Sequence, residues 1–220
     1  TLIKPIIEGM KISVKSMNSS SAERELHRMD TDMSTKSVII VFGIILLGLV
    51  LTFWDFVSAV PISAGLMWTL VIVGVLVALL IGFFVAAACG YMAGLIGTSA
   101  SPISGIGILA TIISSLVVYF IASENNLFAT EAGVQFATAM AIFMTSVVIA
   151  IASISNDNLQ DLKTGQLVGA TPWRQQIALL LGSVAGAIAI APVLNLLYQA
   201  YGFTGALPRA EMDPNAALSA

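Results

Sequence analysis

Cysteine and histidine are almost missing from this chain: Cys89 and His27 stand alone. A single thiol excludes an intrachain disulfide, and no zinc site of Cys/His spacing can be written. Cys89 lies in an apolar run and reads as an inert buried thiol. Charge is scarce as well. Asp, Glu, Lys and Arg make up 10% of the 220 residues, against about 25% in a soluble domain. A surface so poor in charge cannot stay wetted, so lipid must be much of the solvent. The net charge of −3 is small and argues against a nucleic-acid partner. Gly-x-Ser-x-Gly, a phosphate loop and a His-Glu pair at metal spacing are all lacking. A Ser/His/Asp site would have to use His27, which lies in a polar stretch. The chain reads as a non-enzyme with no metal and no cofactor. Residues 1–36 hold no apolar run of signal-peptide length, and the chain starts at Thr1 without an initiator Met.

What is abundant is apolar: 58% of the residues are hydrophobic, and the mean hydropathy is +0.97. Residues 1–36 form a polar segment. Residues 2–14 read as an interfacial helix end, 16–21 as a flexible linker, and 22–33 as solvated. Continuous apolar segments follow at about 38–56, 66–88, 106–122, 133–154 and 176–200. Each is near the roughly 20 residues that cross a bilayer as helix. They do not alternate, which excludes a β-barrel. The expected fold is an all-α, polytopic transmembrane bundle of about five spans, with a tail at 201–220.

Basic residues orient it. Lys4, Lys11, Lys15, Arg24, Arg28 and Lys36 precede the first span, and Lys163 and Arg174 follow the fourth. The loops at 57–65 and 123–132 hold none. The N-terminal segment and the 155–175 loop therefore belong in the cytoplasm, and the tail outside. The stretch 89–107 should also be cytoplasmic, yet it carries no charge. It reads as a re-entrant or broken helix, which membranes tolerate only where protein or a water-filled cavity surrounds it.

Two constellations could carry chemistry. In the first, Gly97 and Gly105 free the backbone and Pro102 interrupts a helix, while Thr98, Ser99, Ser101 and Ser104 supply hydroxyls. Broken helices of this sort bind solutes near the midplane of transporters. The alternative is a polar packing hairpin without a ligand. In the second, Asn156, Asp157, Gln160, Asp161 and Lys163 leave the fourth span together. Asp157 and Asp161 share a helix face, and Lys163 could neutralise one of them. Paired carboxylates there suit proton coupling, and a helix cap with a solvated loop is the alternative. Small residues at Gly90 and Gly94, and at Ala178, Gly182 and Gly186, read as helix-packing faces. Thr111, Ser114 and Ser115 are expected to bond back to their own helix carbonyls.

The runs GYMAGLIGTSASPISG at 90–105 and DNLQDLKTGQLVGATPWRQQ at 157–176 resemble the oligopeptide transporter family. The closer likeness is to its prokaryotic branch, related to the yellow-stripe-like transporters. The family often has Asn-Asn before Pro-x-Ser-Gly, where this chain has Ala100 and Ser101. The resemblance covers the whole chain as one internal segment of a longer protein. It implies secondary active uptake of small peptides or peptide-like metal chelates with protons, across a bacterial inner membrane. The partners it implies are the lipid bilayer, the remainder of the full-length transporter, the solute and protons. It places Gly97, Thr98, Ser99, Ser101, Pro102, Ser104 and Gly105 along the solute path. Asn156, Asp157, Gln160, Asp161 and Lys163 would form a gate or coupling site. The rival functions are a non-transporting membrane scaffold or assembly protein and a channel.

Overall fold

Helix starts follow from side chains that can accept a freed amide. Ser34 Oγ accepts from Ser37 N at 3.2 Å, Ser63 Oγ from Leu66 N at 3.4 Å, and Thr130 Oγ1 from Gly133 N at 3.1 Å. In the computed structural model, which describes residue 8 and residues 31–202, these caps open α1 (Thr35–Ser58), α2 (Ala64–Ile96) and α4 (Glu131–Val168). Between them runs α3 (Ile103–Glu124), and α5 (Pro172–Tyr201) follows. All five are long and apolar enough to cross a membrane, and no strand occurs among the described residues. The chain is an all-α integral membrane protein. The interfacial, linker and solvated readings of the N-terminal segment, His27 and most of the tail lie outside the described residues.

Each helix outruns its apolar segment, two of them by far. The apolar run 133–154 sits inside a helix of 38 residues. At about 1.5 Å per residue, α4 is some 57 Å long, against a hydrocarbon layer of about 30 Å. Residues 155–168, expected as loop, are its overhang. The helix stops at Gly169, whose φ of 72° is left-handed. Likewise α2 absorbs residues 89–96 of the uncharged stretch and ends at Gly97. The break is confined to 97–102, a 3-10 turn at Thr98–Ala100 and then Pro102.

The chain divides into two compact units, one ending at Trp173 and the other beginning at Arg174. In the first, α4 packs along α2 and α3, and α1 packs on α2. Lipid offers little hydrophobic drive between helices, so close packing and dispersion hold them. Phe53 of α1 is fully buried where α2 has Gly74, and a Cβ there would meet its ring at 2.5 Å. Phe143 of α4 meets Phe53 edge-on at 5.0 Å and stacks on Phe56 at 4.4 Å. Gly74, Gly82 and Gly90 recur at eight-residue intervals. Each step turns about 80° round the helix, so the close approach passes from α1 at Gly74 to α4 at Gly82 and Gly90. In α5, Pro192 sits inside the helix, which membrane helices tolerate.

Candidate functional site

The helical break leaves backbone groups that need partners, and α4 supplies them. Thr98 N donates to Gln160 Oε1 at 3.2 Å. Ser101 Oγ donates to Asn156 Oδ1 and lies 3.4 Å from the Cys89 carbonyl. The residue before Asn156, Ser155, donates its Oγ proton to the Ala86 carbonyl at 2.7 Å. Asn156 is only 3% exposed, and in such surroundings a neutral hydrogen bond is stronger than in water. Gly90 makes the approach possible: a Cβ there would stand 2.9 Å from Ser155 Oγ and 3.2 Å from Leu159. The fully buried Cys89 packs with Ile106 and Ala152 beneath the turn.

The expected site residues therefore separate. Thr98 and Ser101 join Asn156 and Gln160 in one polar lock between the α2–α3 turn and α4. Gly97 holds the turn with φ 97° and ψ 165°. Ser99, Pro102 and Gly105 are exposed beside it. Ser104 lines a different feature, an apolar groove of about 490 Å³ along α3 with Gly107, Thr111 and Ile149. Asp157 and Asp161 are exposed on α4, about 100° round the helix from Asn156 and Gln160.

Lys163 corrects one expectation: it donates to Gln166 Oε1 at 3.1 Å rather than neutralising an aspartate. It also lines a cleft of about 300 Å³ with Asp32, Gly94, Leu159, Gln166 and Pro172. Gly94 differs from its expected packing role, because a Cβ there would meet nothing within 4 Å. Thr111 does bond back, to the Gly107 carbonyl at 2.8 Å. Ser114 does not; it is fully buried and its hydroxyl has no partner among the described residues. No cluster of metal-binding side chains occurs among the described residues.

Neither Ser155, which leaves the fourth span beside Asn156, nor Gln166 is among the expected gate residues, yet both make contacts here. Each is one polar residue on a helix whose inward face the sequence did not define.

Comparison with known proteins identifies the family. Residues 2–220 match the family described as "OPT oligopeptide transporter protein". A Haemophilus influenzae protein named "Putative oligopeptide transporter" is 53% identical over 219 residues. That match covers 100% of this chain and 34% of the relative, so the chain spans about a third of that protein's length. No solved structure matches significantly. With the family matched from end to end and more than half of the residues shared with that relative, this chain belongs to the oligopeptide transporter family.

Proposed function

We propose that this chain forms one wall and the cytoplasmic gate of a proton-coupled transporter for short peptides or peptide-like metal chelates. It acts within a longer polypeptide in a bacterial inner membrane, with its N-terminal segment in the cytoplasm, and does no covalent chemistry on the solute. The observation that carries this reading is the lock between the broken turn and α4, made by Thr98, Ser101, Asn156 and Gln160.

The lock is built of amide, hydroxyl and backbone groups without charge. A peptide presents the same groups, so it can exchange with the lock at little net energy. Release would let the turn move about Gly97, and alternating access needs one such element with two arrangements. Asp157 and Asp161, exposed at the same end of α4, are the carboxylates within reach of water for proton exchange. Ser99, Pro102, Ser104 and Gly105 then continue the path along α3.

The test is uptake by the full polypeptide in proteoliposomes, with labelled short peptides and iron chelates, with and without an inward proton gradient. Gradient-dependent accumulation of either solute is expected. Downhill flux indifferent to the gradient would indicate a channel. No flux from folded, oriented protein, with bulky apolar replacements at Thr98, Ser99 and Ser104 tolerated, would indicate a scaffold.

A further inference from the structure

The cleft beside the lock has the makings of a binding site of its own. Its walls are apolar at Leu159 and Pro172, and its two charged residues, Asp32 and Lys163, are of opposite sign. Gly94 lines the cleft, where a Cβ would meet nothing within 4 Å, and most of the other lining residues lie on or just past the overhang of α4 beyond the apolar run. Trp173 N donates to the Thr31 carbonyl at 3.3 Å. That bond brings the segment carrying Asp32 to the turn after α4. The cleft adjoins the lock directly, since Leu159 lines it and Gln160 is the next residue.

We propose that this cleft binds the carboxylate end of a short zwitterionic peptide. The Lys163 ammonium gives one hydrogen to Gln166 and has donors to spare for a carboxylate. A charge-assisted bond of that kind is roughly twice as strong as a neutral one. Leu159 and Pro172 accept an apolar side chain. The volume suits a ligand of a few residues, being at the small end of the usual range of about 300–1,000 Å³. This assignment rests on the transporter reading for its solute class, but not for its geometry.

The experiment measures equilibrium binding of labelled dialanine and of dialanine amide to the full polypeptide, purified in detergent. Wild type, Lys163→Gln and Lys163→Arg are compared, and uptake is followed in parallel. Lys163 is exposed in this chain, and Lys163→Arg, which keeps the charge, controls for a loss of fold. Wild type should prefer the free carboxylate by about tenfold or more. Lys163→Gln should bind both forms alike, and Lys163→Arg should keep the preference. A preference that survives in Lys163→Gln, or no dialanine binding to wild type, overturns the site. Lys163-dependent binding without any accumulation in vesicles would uphold the site and remove the transport reading instead.

Discussion

Ser101 in the α2–α3 turn donates its hydroxyl proton to Asn156 Oδ1 on α4, a bond between residues 55 positions apart. It is the innermost contact of the lock, and its acceptor is almost wholly enclosed. The groups are neutral, so neither pH nor salt should move it. Its strength can be isolated by a double-mutant cycle with Ser101→Ala and Asn156→Leu. The coupling energy from thermal unfolding in detergent should be about 1 kcal/mol, the net worth of one such bond. A coupling near zero would mean that the turn is held by the Thr98–Gln160 bond and by the contact of Ser101 with the Cys89 carbonyl.

Why part of this was legible and part was not follows from what each sequence signal measures. Hydropathy reports which residues meet lipid, and it stopped at 154. The helix continues because nothing between Ser155 and Val168 breaks it and Gly169 does. Gly90 and Gly94 read both as part of the uncharged break and as a packing face, and in a membrane helix glycine is a packing device. Gly90 acts that way; Gly94 instead lines a cleft. The break itself was marked by Gly97 and Pro102. At the site, Asn156, Asp157, Gln160 and Asp161 form two pairs spaced by four. Helical periodicity sorts them into two faces but cannot say which face turns inward. That depended on α2 and on a turn about sixty residues away, contacts that no local pattern encodes.

Gly90 and Gly94 make opposite predictions although they are one helical turn apart. At Gly90 a side chain would push on Ser155 Oγ and Leu159, and would disturb the bond from Ser155 to the Ala86 carbonyl. Gly90→Val should therefore destabilise by about 1–3 kcal/mol, the usual range for overpacking. Gly94→Ala enters open space and should be neutral, or stabilising by about 0.5–1 kcal/mol through helix propensity. Melting temperatures of the two variants in the same detergent decide it. Equal effects would remove the case for a close α2–α4 approach at Gly90.

Gly97 tests whether the turn is a hinge set by backbone conformation. Its φ of 97° and ψ of 165° lie in a region open essentially to glycine alone. A Cβ there would touch nothing within 4 Å. Any loss in Gly97→Ala thus comes from the backbone and not from a clash, and should be about 1–3 kcal/mol. Asn usually relieves a left-handed position, but only near ψ of about 30–60°. Gly97→Asn should therefore lose as much as Gly97→Ala. Gly105→Ala supplies the control, because that position is helical and equally open, and it should change stability by no more than about 1 kcal/mol. Thermal unfolding of all three variants gives the answer. Rescue by Asn would place the turn in the ordinary left-handed region, and a loss at Gly105 matching that at Gly97 would show that the break has no special backbone requirement.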